Sequence, residues 1–272
     1  MTAFRLVVAA ALAAGLAGLP AAEQQSKPKR VLFIGQTKGW QHESTSYAAG
    51  ALWKMGHDTG LWETYIKTDC QLITKKKLPL NAKNLDYFDA VLFYTTGELD
   101  MDDSQKADLL SFVKDDGKGF ASIHSGNDTF YKWPEYGEMV GGYFDGHPWG
   151  TFDAPLVVED PAFPGMKYLP KSFAMSDEIY QARNFSRDKV RVLLRLDASK
   201  LDLSNKKVHR TDKDFAVVWA RDYGKGRVLY NGLGHVEAVW DRPDIQKMWI
   251  DQVKWLVGTL SGDATPRPKP VD

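Results

Sequence analysis

The chain has 272 residues, 43% of them hydrophobic and 12% aromatic, which is enough to bury the core of a single domain. Lysine plus arginine and aspartate plus glutamate both total 35, so the formal net charge is zero. Without a basic excess, the balance argues against a nucleic-acid partner and shows no polybasic surface for a membrane.

In chain order, "MTAFRLVVAAALAAGLAGLPAAEQQ" has a basic residue at Arg5, an apolar run over 6–19 and then small residues. This is the layout of a secretory signal peptide, and the run is short of the roughly 20 apolar residues a membrane span needs. We expect a signal over 1–22, cleaved near Ala21 or Ala22, and a linker over 23–29. The mature protein is then periplasmic or secreted, with no stable membrane insertion. The single cysteine, Cys70, leaves no internal disulfide to form, and its polar setting reads as an ordinary residue rather than a nucleophile.

"KRVLFIG" predicts a buried parallel strand and "ESTSYAAGALWKMGH" a helix ending at Gly56. "DTGLWETY" and "FDAVLFYTTG" predict two more strands. "DDSQKADLLSFVKDDGK" predicts a helix capped by Asp102 or Asp103, and "GFASIH" the strand after it. This order is that of a doubly wound, mainly parallel sheet, which binds ligands beyond the carboxyl ends of its strands. The segments at those ends carry His42 and Glu43, Glu98, and His124 and Asp128.

After Tyr131 the sequence becomes dense in glycine, proline and aromatics. "APLVVED", "DEIYQAR", "KVRVLLRLD" and the hairpin "FAVVWARDYGKGRVLYNGLGH" predict an antiparallel extension of the sheet. "DIQKMWIDQVKWLVGTL" predicts a closing amphipathic helix, and 261–272 a frayed, proline-rich tail.

"RVLFIGQTKGWQHES", "GFASIHSGNDTFYKWPEYGEMVGGYFDGHPW", "DEIY" and "GKGRVLYNGLGHVEAVWD" together resemble the ThuA-like (trehalose utilisation) family, over nearly the whole mature chain. The resemblance implies a flavodoxin-like α/β domain over 30–260, similar in fold to class I glutamine amidotransferases. In those enzymes the strand before the elbow ends in a cysteine followed by x-Gly. Here "SIHSG" puts His124 at that position, and "GLGHVE" puts His235 and Glu237 where the amidotransferase His and Glu stand. Amide hydrolysis through a thioester needs the missing thiol, which argues against that reaction.

His57 and His209 read as surface residues. His42, His124, His147 and His235 lie in the resemblance motifs, where four imidazoles converging on one pocket could bind a divalent metal such as zinc. A metal-free polar sugar pocket is the competing reading. His124, His235, Glu237 and Asp128 are the catalytic candidates, with Asp128 either orienting an imidazole or capping the next helix. Asp177 and Glu178, and among the aromatics Trp40, Tyr143 and Trp149, are the candidates for binding a small carbohydrate. Tyr131, Trp133 and Trp240 fall near the same loops, and Trp149 is expected on the pocket rim. The resemblance implies substrates related to keto-sugars. An enzyme, a carbohydrate-binding protein and an inactive scaffold all remain open at this point.

Overall fold

A computed structural model describes residues 27–80 and 83–270. The expected signal lies outside these residues. The strands are β1 (Lys29–Ile34), β2 (Trp62–Lys67), β3 (Ala90–Phe93), β4 (Gly119–Ile123), β5 (Tyr143–Phe144), β6 (Thr151–Val158), β7 (Ser172–Glu178), β8 (Ala182–Arg183), β9 (Arg191–Leu196), β10 (Ala216–Tyr223) and β11 (Gly226–Asn231). The helices are α1 (Ser44–Thr59), α2 (Asp103–Lys114), α3 (Pro134–Val140), α4 (Glu237–Trp240) and α5 (Pro243–Leu256).

Nine strands form one sheet in the order β2-β1-β3-β4-β11-β10-β9-β6-β7. The first five pair in parallel and the remaining four pair antiparallel. The parallel half has the flavodoxin-like order, and the hairpin β10–β11 joins it to the antiparallel extension.

Strand β1 shows why the sheet needs helices on both faces. Alternate residues of a strand point to opposite faces. Val31 and Phe33 join the cluster that includes Leu52 of α1 and Trp249 and Val253 of α5, while Leu32 and Ile34 join Phe112 and Val113 of α2. All four β1 residues are buried, each worth about 1.5–3 kcal/mol relative to exposure.

Local signals explain the helix ends. Asp102 accepts from the Gln105 amide at 2.8 Å, and the Gln105 side chain accepts from the Asp102 amide at 3.0 Å, a reciprocal cap for α2. In α1 the sequence reading stops one turn early. Gly56 is buried within the helix, and Gly60, at φ 66°, provides the left-handed cap. The expected strand in "DEIYQAR" is divided, since β7 ends at Glu178 and β8 takes up only Ala182–Arg183.

The C-terminal tail is anchored rather than frayed. Arg191 bonds Asp263 at 2.9 Å, Arg267 reaches the buried Asp160 at 2.8 Å, and Ala264 is buried. Proline composition indicated a chain without regular structure, which holds, but it carried no information about these long-range ion pairs. Among the described residues, no helix is long and apolar enough to cross a membrane.

The outer hairpin β6–β7 positions the site. These strands pair from Thr151↔Glu178 to Val157↔Ser172, whereas β6 pairs with β9 only at Leu156–Val158. The open end of the hairpin therefore leaves the sheet. It carries Asp177 and Glu178 to the loop after β11, where Asp177 accepts from the amides of Gly234 at 2.7 Å and Val236 at 3.0 Å.

Candidate metal site

Three strand ends and the hairpin converge beyond the carboxyl edge of the parallel strands. His42 comes from the connection between β1 and α1, His124 directly follows β4, and His235 follows β11. Glu178 ends β7. One ligand atom from each of these four residues lies within 4.8 Å of every other. The expected histidine convergence is thus present, but with Glu178 in the inner set where His147 was expected.

His124 sits on a strained turn. Its φ is 42°, the left-handed region that a side chain with a Cβ occupies at a cost of about 1–2 kcal/mol. The tightness of the turn requires Gly126, where a Cβ would meet the Phe93 carbonyl oxygen and Ser122 Oγ at 2.6 Å. The imidazole is fully buried and its Nδ1 lies 3.0 Å from the Gly232 carbonyl oxygen. A carbonyl only accepts, so Nδ1 carries a proton, and in the neutral imidazole Nε2 turns a lone pair toward the cluster.

His124 Nε2 lies 3.2 Å from His235 Nδ1 and 3.6 Å from Glu178 Oε2, and His235 Nδ1 lies 3.2 Å from the same Glu178 oxygen. With His124 neutral, these three atoms are acceptors sharing at most the one proton that His235 Nδ1 can carry. A cation satisfies all three at once. A tetrahedral ion with bonds of about 2.0–2.2 Å places its ligand atoms roughly 3.3–3.6 Å apart, close to the observed triangle. His42 completes the set, its ring centroid 5.1 Å from that of His124 and 5.3 Å from that of His235. The donor set of three imidazoles and one carboxylate fits a divalent metal, and the four residues can hold one.

Electrostatics favour the metal-binding protonation states. Burial, reinforced by His124 and His235, lowers the His42 pKa to about 3. Burial and His124 also lower that of His235. Burial opposes ionisation of Glu178, but His124, His235 and His147 outweigh it and hold its carboxyl below the ordinary value. Neutral imidazoles facing a carboxylate are the forms that bind metal.

Around this cluster opens a cavity of about 930 Å³, within the size range of small-molecule sites. Trp40, 73% exposed, stands at its mouth, and Phe144 and Tyr180 supply further rings. The Tyr180 hydroxyl lies 3.2 Å from His42 Nε2, and its ring centroid is 4.4 Å from that of His124. His147 lies on the wall, half exposed, with Nδ1 3.3 Å from Glu178 Oε1. Its loop is held by reciprocal backbone bonds, Asp145 to Gln181 and Gln181 to Gly146, each 2.9 Å.

The other expected site residues divide between the cavity and the scaffold. Asp128 lines the cavity and accepts from the Tyr131 hydroxyl, with no hydrogen bond to an imidazole among the described residues. It does not cap the next helix, whose N-cap is Trp133. Burial raises its pKa against the opposing Tyr131 bond. Glu237 also lines the cavity, but it is exposed as the first residue of α4, and the carboxylate beside His235 is Glu178.

Asp177 is fully buried and holds backbone instead of facing the cavity. Tyr143 is likewise turned inward, its hydroxyl donating to the Trp133 carbonyl at 2.6 Å and meeting the Phe130 carbonyl at 3.0 Å. Trp149 is not on the rim. Its indole packs against Phe152 and Phe215 and donates to the Asp202 carbonyl at 3.2 Å. Trp133 and Trp240 are buried in the core. His57 stacks on Trp53, and His209 pairs with Asp145 at the surface, 3.2 Å away.

Tyr180 and Tyr94 were not selected from the sequence. Tyr180 stands in the "DEIY" motif, which was a usable signal. Tyr94 lies beneath the cluster, its hydroxyl 2.6 Å from Ser44 Oγ and 3.0 Å from the Gly234 carbonyl. Nothing local to "LFYTTG" pointed to that role.

Comparison with known proteins agrees with this architecture. The family model described as trehalose utilisation (ThuA) matches residues 30–256. A ThuA-like protein from Bacteroides uniformis is 19% identical, with a TM-score of 0.70 over 88% of this chain and 95% of that one. A second ThuA-like protein, from Parabacteroides merdae, is 16% identical with a TM-score of 0.67, covering 89% and 98% of the two chains. PurLQS from Thermotoga maritima shows the wider amidotransferase-like fold at 16% identity and a TM-score of 0.50, covering 84% and 99%. A search of the curated proteins found no match.

Proposed function

The chain belongs to the trehalose-utilisation (ThuA) family, and from that premise we propose that its pocket binds a sugar or keto-glycoside and transforms it by acid–base or metal-assisted chemistry. The observation that carries the reading is the convergence of His42, His124, Glu178 and His235 on one point inside a cavity with aromatic walls. Those four residues would hold a divalent ion such as zinc. The chemistry such an ion supplies when bound is polarisation of a substrate oxygen.

The protein's own groups divide the remaining tasks. Trp40, Phe144 and Tyr180 offer faces for the apolar side of a sugar ring. His147 and Asp128 are the wall groups placed to move protons, His147 against Glu178 and Asp128 under the Tyr131 hydroxyl. Glu237 faces the same space and can accept sugar hydroxyls. Such a set serves hydrolysis, elimination or isomerisation of a substrate with an acidic C–H or a glycosidic oxygen. Export follows from the N-terminal sequence as part of the same proposal, and mass spectrometry of a periplasmic fraction should find a mature chain starting near Ala22 or Glu23.

The test is product analysis by NMR on keto-disaccharides and their parent sugars, with and without added zinc. Metal-dependent product formation, lost in His124→Ala, is the expected result. Binding without turnover would make the protein a carbohydrate receptor, and absence of both would overturn the proposal.

A further inference from the structure

Tyr94 follows β3 directly and is fully buried. Its ring centroid lies 6.0 Å from that of His42 and 5.9 Å from that of His124. Its hydroxyl makes two bonds, at 2.6 Å to Ser44 Oγ and at 3.0 Å to the Gly234 carbonyl oxygen. The carbonyl only accepts, so the tyrosine donates to Gly234 and accepts from Ser44. Burial raises the pKa of the phenol, so the donated proton stays in place. Ser44 opens α1 two residues after His42, and Gly234 immediately precedes His235. One hydroxyl therefore joins the segments that carry two imidazoles of the cluster.

The two segments are secured differently. The His235 loop is also held from elsewhere, because Asp177 takes the Gly234 and Val236 amides and Trp240 Nε1 donates to the Gly234 carbonyl at 3.1 Å. On the other side, Thr96 Oγ1 donates to the Trp40 carbonyl at 2.8 Å and fixes the chain before His42. After His42, the bond from Ser44 to Tyr94 ties the first turn of α1 to the floor of the site. The cluster shows the same division. His124, His235 and Glu178 already form a triangle with sides of 3.2, 3.2 and 3.6 Å. His42 stands beside it, with Nε2 3.2 Å from the Tyr180 hydroxyl. The place of the fourth imidazole thus depends on how the start of α1 is set against the triangle.

We propose that Tyr94 is a positioning residue whose hydroxyl sets α1 against the His235 loop and so brings His42 within reach of an ion held by His124, Glu178 and His235. It decides the number of protein ligands, four with the hydroxyl in place and three without it, and is not itself a ligand. This inference rests on the metal reading of the cluster and adds a control point to it.

The test uses the full chain, treated with chelator and titrated with zinc and with cobalt(II). Tyr94→Phe keeps the buried ring and removes the hydroxyl. It should lower zinc affinity by roughly 10–100-fold, and the visible spectrum of bound cobalt, which reports ligand number and type, should move to that of His42→Ala. The double variant Tyr94→Phe/His42→Ala should bind no more weakly than His42→Ala alone, since the hydroxyl acts through that histidine. If Tyr94→Phe does not fold, Ser44→Ala breaks the same link from its other end and carries the same expectations. A wild-type spectrum and affinity in the variant, even with a lower melting temperature of the metal-free protein, reduces Tyr94 to a packing role and overturns the proposal. Losses that add in the double variant, or zinc binding that His42→Ala leaves unchanged, overturn it as well while the metal reading stands. A wild-type chain that binds neither ion overturns that reading and the proposal with it.

Discussion

Asp177 accepts the Gly234 amide at 2.7 Å, and this bond ties the outer hairpin to the loop that presents His235. With the Val236 amide at 3.0 Å, the carboxylate holds the backbone on both sides of His235. It lies one residue before Glu178, so a single strand end orients one cluster residue through backbone and supplies another directly. Burial alone would raise the Asp177 pKa, and the raised value persists despite these amides and the nearby His124.

Replacing Asp177 with alanine should therefore act in two ways. Two amides, that of Gly234 buried and that of Val236 part-buried, lose their acceptor, at about 1–3 kcal/mol for the buried one, and the melting temperature falls. Metal affinity should fall by roughly 10–100-fold, the range for a residue that orients a ligand without binding the ion. Asp177→Asn retains one acceptor oxygen and should recover part of both. Calorimetry and metal titration measure the two effects, and an unchanged affinity in Asp177→Ala would show that the loop holds its position unaided.

Zinc titration of chelator-treated protein should show one tight site per chain. His124→Ala and Glu178→Ala should each weaken it by more than the roughly 100-fold upper range of an orienting residue. His147→Ala should have a smaller effect, because its imidazole contacts Glu178 from outside the inner set. Equal losses from His147→Ala and His124→Ala would move the ion to a different point in the pocket.

Asp128 gives a stability effect whose direction with pH is fixed. Burial raises its folded-state pKa above the ordinary 3.8. Between those two values the folded protein binds more protons than the unfolded chain, so this residue's contribution to stability declines as pH rises. Above the window the buried carboxylate is a steady cost. Asp128→Asn keeps an acceptor for Tyr131 and should melt higher than the wild type at pH 7, with the gap closing toward pH 3.8. A gap independent of pH would assign the change to packing.

Cys70 should be chemically silent in the native state. It is buried with its thiol 3.4 Å from Gln36 Oε1, and burial pushes its pKa up to about 12. Iodoacetamide at pH 8 should label it only after denaturation. Ammonia release from glutamine should be absent, since the elbow carries His124 and this thiol is confined elsewhere. Turnover persisting in Cys70→Ser would reveal a different nucleophile.

The parallel half of the fold was legible because "KRVLFIG", "FDAVLFYTTG" and "GFASIH" are short apolar runs, each followed by polar residues at a strand end. From that pattern, His42, His124 and His235 could be assigned to one edge. The carboxylate partner of His235 was harder to read. The resemblance pointed to Glu237, two residues away, whereas Glu178 reaches His235 across the fold because β6–β7 leaves the sheet after only three residues of β6 have paired with β9. Such a departure depends on strand pairing and leaves no local composition signal. The different roles of Asp177 and Glu178 were available from strand geometry, since adjacent residues in a strand face opposite ways. Trp149 misled for the opposite reason: its Gly and Pro neighbours allow exposure, but Phe215, distant in sequence, covers it.

The dispersion of the cluster along the chain also has a consequence for how the protein would acquire an ion. His124 and His235 are 111 residues apart, and His235 follows the last strand of the sheet. During synthesis no early fragment carries the assembled set, and the site closes only when β11 docks beside β4 and the hairpin folds back. Divalent affinities of such donor sets follow a general order in which copper exceeds zinc, so local supply has a large part in deciding which ion is taken. Supply is then sampled where the last strand docks. A chain threaded unfolded across a membrane would be metallated on the far side, from that compartment's pool and not from the cytoplasm's.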